Sequence, residues 1–281
     1  MSLATPMGAV EVRPGRRWPP FLVMAAFAIV GIVVVAALLG PALAPYDPMV
    51  QRLDFSSIPP SDEFIAGTDI LGRDVFSRVI YGAWTALVGP IIIAAGAFTI
   101  ATVLGLLAGY LGGVVDTAIM RWVDFMFALP GTLIVIVVVG VIGGGYWTAV
   151  AVLVLFFTAP DTRIVRSAVL EQRPLPYIDA ARTLGISKTR ILFVHILPNV
   201  LPIILAYVAI DFAFALINLA SLSFLGLGVE AGTPDWGRML SENRNLLLAN
   251  PTALLLPATI IILTAVSMNL IGDWLFERFA R

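Results

Sequence analysis

The sequence predicts an all-α membrane protein with six transmembrane helices, and three observations carry that expectation. Charged residues make up 12% of the 281 residues and apolar residues 59%, about half the charge of a soluble domain. Apolar runs of roughly 20 residues recur, the length a helix needs to cross a bilayer. Lys and Arg also alternate in density between successive connecting segments. With the N-terminus inside, twelve fall on inner segments, including Arg16, Arg17, Arg163, Arg166, Lys188 and Arg278; only Arg52, Arg73, Arg78, Arg238 and Arg244 fall outside. An even number of spans keeps Arg278 and Arg281 inside, so both termini are expected in the cytoplasm.

Each element follows in chain order. Residues 1–20 contain Pro and Gly without a pattern and are expected to be a mobile cytoplasmic segment. Residues 21–281 are expected to form one six-helix membrane domain. The first span, Phe21–Ala44, follows Arg16 and Arg17 like a signal peptide. Its apolar run is too long for a signal core and no small-residue cleavage site follows, so a retained helix is expected. An external loop over 45–82 carries Pro59-Pro60 and the run Gly67-Thr68-Asp69-Ile70-Leu71-Gly72-Arg73-Asp74. Loops of that length are usually functional. The second span, Ala83–Leu111, places Ala97, Ala101, Gly105 and Gly109, with Gly113 beyond it, four residues apart. Such a small-residue ridge lets another backbone approach closely. Arg121 and Asp124 are three apart and suited to pair on one helix face. The third span, Phe125–Ile142, is expected to kink at Pro130. The fourth, Tyr146–Thr158, is expected to continue through Pro160 towards Arg166. Leu201–Leu222 and Ala253–Leu275 complete the set, joined by an external loop over 226–252.

Residues 167–198 interrupt this hydrophobic pattern with a polar, basic hairpin. Pro174 and Pro176 stop one helix and start another. Ala180, Ala181 and Leu184 make a compact apolar stripe, flanked by Asp179 and Arg182 and preceded by Tyr177. The alanines allow a short helix to enter a pocket without bulk between the surfaces. Gly185 supplies a left-handed helix end. Ser187 is suited to cap the next helix near Arg190, and Pro198 is expected to break it. Feature by feature, an amphipathic interfacial hairpin would read the same way; as a whole it reads as a surface for a soluble partner.

The spacing resembles the coupling-loop signature of ABC-importer permeases: an acidic residue, two alanines, a glycine four residues on, and a Leu-Pro thirteen residues later. From about Phe64 to Asp273 the chain resembles the C-type subunits of the dipeptide/oligopeptide/nickel permease family. The residues that carry this are Gly67-Thr68-Asp69 with Gly72-Arg73-Asp74, Ser77-Arg78, Gly109-Tyr110, Gly112-Gly113, Arg163 with Arg166, Leu222-Ser223-Phe224-Leu225-Gly226, Trp236-Gly237 and Asn269-Leu270-Ile271-Gly272-Asp273. The resemblance implies a type I ABC-importer fold in the bacterial plasma (inner) membrane. It implies import of short peptides, with nickel as the alternative cargo. It also implies a homologous second permease, two ATPase subunits that hold ATP and Mg, and an external substrate-binding protein. Tyr177, Asp179, Ala180, Ala181, Arg182, Leu184, Gly185, Ser187 and Arg190 would then dock on an ATPase. Asp69, Arg73, Asp74 and Trp236 would lie on the face that meets the binding protein. The chain departs from the family in having Asp179 where Glu is common, residues around Pro160 and Thr162 where Trp and Ala are common, and Asn218-Leu219 where an acidic residue is common.

Asp211 stands near the middle of span five, where a carboxylate is costly and usually faces a bundle interior or a water-filled path. With Asn218 and Ser223 it is a candidate for the translocation pathway, where it would meet a cationic group; a buried structural carboxyl is the equal alternative. There is no Gly-Lys-Ser/Thr phosphate loop and no cysteine, and His195 is the single histidine. Neither catalysis, a bound cofactor nor a metal site is therefore expected, and the near-neutral net charge gives no sign of nucleic-acid binding. An ion-driven secondary transporter and a membrane scaffold remain the readings from other classes.

Overall fold

The structure, a computed structural model, describes residues 20–128 and 130–279. The expected mobile segment therefore lies outside the described residues except for Pro20. The described residues form ten α-helices: α1 Pro20–Leu43, α2 Val75–Leu111, α3 Gly113–Phe127, α4 Gly131–Ile142, α5 Tyr146–Gln172, α6 Pro176–Thr183, α7 Lys188–Arg190, α8 Leu197–Phe224, α9 Trp236–Glu242 and α10 Pro251–Phe279. Five are long and apolar enough to cross a bilayer: α1, α2, α5, α10 and the Ile204–Phe224 part of α8.

The third span differs from expectation. The helices α3 and α4 are bent by 85° at their break, far more than a kink. Pro130 has no N–H to give, and its ring restricts the residue before it, so α3 stops there. At 1.5 Å per residue the twelve residues of α4 reach only about 18 Å, short of the hydrocarbon core. Meanwhile α3 packs on α2 and α5. Asp116 pairs with Arg166 at 2.6 Å, and Asp124 with Arg163 at 2.8 Å. Asp124 thus bonds across to α5, not along its own helix to Arg121.

Two further boundaries have local causes. The second span starts at Val75, eight residues before Ala83, because the Asp74 side chain caps it, accepting from the Ser77 N–H at 2.7 Å. The fourth runs past Pro160 to Gln172, as the sequence suggested but further.

The small-residue ridge seats α5 on α2. Gly105 faces Val165 and Gly109 faces Val169, while Ala97 and Ala101 are buried beside them. Gly113 lies beyond α2 and does not extend the ridge. A Cβ on Gly105 would meet the Val165 side chain and sit 3.0 Å from the Arg166 backbone nitrogen. Gly105→Val is therefore expected to lower stability by about 1–3 kcal/mol, the usual range for overpacking. Thermal unfolding of the detergent-solubilised chain measures this.

At the end of the bundle away from the hairpin, the loops after α1 and α8 form one cap. Trp236 Nε1 donates to the Val79 carbonyl at 2.8 Å, and Asn250 Nδ2 donates to the Ile58 and Thr68 carbonyls at 3.1 and 3.0 Å.

Candidate functional site

The hairpin is built from local rules. Pro176 opens α6, where a missing N–H costs nothing. At the other end Gly185 (φ +72°) closes it: the Gly185 N–H bonds the Arg182 carbonyl at 3.0 Å, and the Ile186 N–H bonds the Ala181 carbonyl at 3.1 Å. The Ser187 side chain accepts from the Arg190 N–H at 3.4 Å and starts α7. Pro198 does not break the helix that follows. Residues Ile191–Ile196 form a π-helical stretch, Leu197 bonds back to Leu192, and the chain passes directly into α8. Pro198 sits in the first turn of α8, directly after the wider π-helical turn. Asn199 Nδ2 satisfies the His195 carbonyl at 2.6 Å. The Tyr177 hydroxyl donates to Gln172 Oε1 at 2.8 Å and accepts from Asn199 Nδ2 at 3.3 Å, tying α6 to the ends of α5 and α8.

The two alanines of the expected stripe part company. Ala181 is 4% exposed and packs with Ile178 against Tyr110, Val169, Ile191 and Ile196. It anchors the hairpin and is corrected here from a docking residue to an inner one. Leu184 is 78% exposed. Tyr177, Asp179, Ala180, Arg182, Gly185, Ser187 and Arg190 are likewise exposed, and Arg182 pairs with Asp179 at 3.1 Å beside the Tyr110 ring. The outward surface is thus Ala180 and Leu184 among polar and basic groups.

The external face needs a larger correction. Asp69, Arg73, Asp74 and Trp236 are 0%, 2%, 4% and 2% exposed, so none offers a side chain to an outside protein. They hold the cap together. Asp69 bonds Arg73 at 2.6 Å; Arg73 and Arg78 reach Glu242 at 2.7 and 3.1 Å. Arg78 also donates to the Pro48 and Gly232 carbonyls at 3.2 and 3.0 Å. Burial alone would raise the Glu242 carboxyl, but the Arg78 and Arg73 guanidiniums hold it below its ordinary value of 4.5. Asp235 caps α9, accepting from the Arg238 N–H at 2.9 Å, and burial pushes its carboxyl up. Gly67 and Gly72 take φ of +70° and +71° where the loop crosses Ile58 and Arg52. The Gly-Thr-Asp and Gly-Arg-Asp motifs therefore encode a clasp.

The pathway candidates do not converge. Asp211 is buried, and Ser223 is buried beside Gly228 in the cap. Asn218 is half-exposed and bonds the Phe214 carbonyl at 2.8 Å. Asp211 instead faces Asp161 of α5, which the sequence reading missed. The signal was present: once span four runs through Pro160, Asp161 becomes a second intramembrane carboxyl.

A bundle of five or six membrane-crossing helices, clasped at one end and carrying a two-faced polar hairpin at the other, defines a polytopic membrane protein. Comparison with known proteins gives the family. The family model for the binding-protein-dependent transport system inner membrane component matches residues 101–281. The glutathione transport system permease protein GsiD of Pectobacterium atrosepticum is 37% identical over 264 residues, covering 92% of this chain and 87% of that protein. The dipeptide transport system permease protein DppC of Alkalihalophilus pseudofirmus is 35% identical over 255 residues, covering 88% and 83%. Among solved structures, the inward-facing MetNI methionine ABC transporter superposes with a TM-score of 0.59 at 19% identity, covering 73% of this chain and 98% of that one. The chain belongs to the binding-protein-dependent transport system inner membrane component family and is a multi-pass protein of the bacterial plasma membrane.

Proposed function

We propose that the chain is the C-type permease subunit of an ATP-driven importer of short peptides, forming half of the translocation pathway. The observation that carries this reading is the hairpin's two-faced build: Ile178 and Ala181 lock it to the bundle while Leu184 and Ala180 turn outward among charged groups. A short helix presented in this way suits a cleft on an ATPase. Peptide cargo is supported by the relatives that transport glutathione and dipeptides. The excess of Lys and Arg at the hairpin end supports cytoplasmic termini.

In this reading the chain holds no cofactor and is no enzyme. Two ATPase subunits bind ATP and Mg, a homologous permease completes the pathway, and an external binding protein delivers cargo to the clasped cap. ATP binds one of two global states better and so shifts the equilibrium towards it. Closure of the ATPases moves the hairpins, and the two permeases rock against each other as rigid bodies.

Two measurements test this. The chain has no cysteine, so Leu184→Cys introduces a unique thiol. A thiol-to-amine cross-linker is expected to join it to an ATPase subunit in native membranes, whereas a cysteine at exposed Leu248 of the cap is expected to leave the ATPase unlabelled. Deleting the chain is expected to abolish uptake of Ala-Ala and leave nickel uptake unchanged. An ATPase labelled only from the cap would reverse the orientation.

A further inference from the structure

We propose that Asp161 and Asp211 form an intramembrane site for the ammonium group of the transported peptide, whose remaining atoms lie in the adjoining groove beside Tyr207 and Pro160. This rests on the peptide-import reading and adds the residues that recognise the cargo inside the membrane.

The two carboxyls come from different spans and meet inside the bundle, 6% and 9% exposed. Among the described residues no N–H or hydroxyl donates to Asp161 Oδ2, and its carboxyl lies within hydrogen-bond reach of Asp211. They line a niche of about 10 Å³, walled by Phe98, Ile164, Val165, Ile204 and Tyr207. That space suits one group the size of water. Two intramembrane acids in apolar surroundings are costly and mark function. No positive charge balances them from the packed elements. The described part of α2 beyond Arg78 holds no Lys or Arg, and neither does α8. On α5 the flanking Arg163 and Arg166 are held by Asp124 and Asp116 at 2.8 and 2.6 Å. Tyr207 is the other titratable group at the niche. The vacancy in charge is thus for a cation that also donates hydrogen bonds, and an ammonium group brings three donors on one atom.

The surroundings select an organic cation. The niche shares Ile164 and Tyr207 with an open groove of about 500 Å³ that also carries Phe127, Pro160, Arg163, Ser167 and Glu171. A metal ion or a proton would have no use for this groove. A short peptide fills both: its amine meets the carboxyl pair, and its backbone lies along Tyr207 and Pro160 in the open groove.

The test is import of Ala-Ala and of N-acetyl-Ala-Ala by the complete importer in proteoliposomes, with wild-type chain, Asp161→Asn and Asp211→Asn. The binding protein is the same throughout, so its own preference cancels in each variant-to-wild-type ratio. The expected ratio is about one-tenth for Ala-Ala and within about twofold of unity for the acetylated peptide, since only the free amine makes the charge-assisted bonds. Co-purification with the ATPases reports assembly. Ratios near unity for both peptides, or an equal fall for both, would overturn the site; the second would mark the carboxyls as packing residues. Failure of the wild-type importer to move Ala-Ala would instead overturn the peptide reading itself.

Discussion

Glu242→Ala is expected to destabilise the outer cap by about 3–5 kcal/mol, the range for removing one partner of a buried ion pair. Arg73 and Arg78 are almost fully buried and both end on Glu242 Oε2. Without it, two guanidiniums share Asp69 alone, at 2.6 Å and at a loose 3.7 Å. The Gly232 N–H and Arg238 would lose the same carboxylate. Thermal unfolding in detergent and protease cleavage within 45–74 measure the effect; Glu242→Gln, which keeps the shape and some hydrogen bonds, is expected to lose less. The pH dependence has a fixed sign. The Glu242 carboxyl is held below 4.5 in the folded chain, so its stabilisation is fully present above that value and fades as the pH falls through the lower folded value. An acid-induced loosening absent from Glu242→Gln is the expected signature.

Two substitutions three residues apart, one in α6 and one just past its end, are expected to abolish transport for opposite reasons. Ala181→Leu adds bulk under the hairpin, where Tyr110, Val169 and Ile178 already fill the space. It is expected to cost about 1–3 kcal/mol in the chain itself, and the purified subunit should unfold at a lower temperature. Leu184→Asp changes a side chain that touches almost nothing within the chain. The subunit should unfold as before, while ATPase co-purification falls by about tenfold or more, as for loss of a central apolar anchor. A Leu184→Asp variant that retains its ATPase and its uptake would remove the docking role from this surface.

Much of the hairpin was legible in the sequence because its signals are local. Gly185 ends a helix wherever the chain needs positive φ, and Ser187 caps the next whatever surrounds it. The spans were legible from length and apolarity alone. What escaped depended on distant partners. Asp69, Arg73 and Asp74 read as exposed because charged residues usually are, and no local pattern announces the 169-residue separation between Arg73 and Glu242. The same holds for Asp124, whose partner Arg163 is 39 residues away. Ala180 and Ala181 look alike in sequence, yet one residue of helix turns a side chain by about 100°. Only the packing of α6 on Tyr110 decides which one faces in. Asp161 escaped although the helix was expected to continue through Pro160, because a carboxyl three residues past the end of the clean apolar run at Thr158 reads as a residue of the membrane boundary. Pro130 shows the converse: the kink was legible, but its size depended on α3 finding a bed against α5.

Val165 and Ile204 belong to two places at once. They are part of the packed layer beneath the hairpin, and they also wall the space between Asp161 and Asp211. From Ile178 and Ala181 through Ile196 to Ile204 the layer is a single run of buried side chains, and close-packed interiors transmit displacement without slack. The hairpin is therefore the short arm of a lever whose other arm ends inside the bilayer. In the proposed coupling, a thrust received at α6 would reach the side chains around the carboxyls through packed contacts alone.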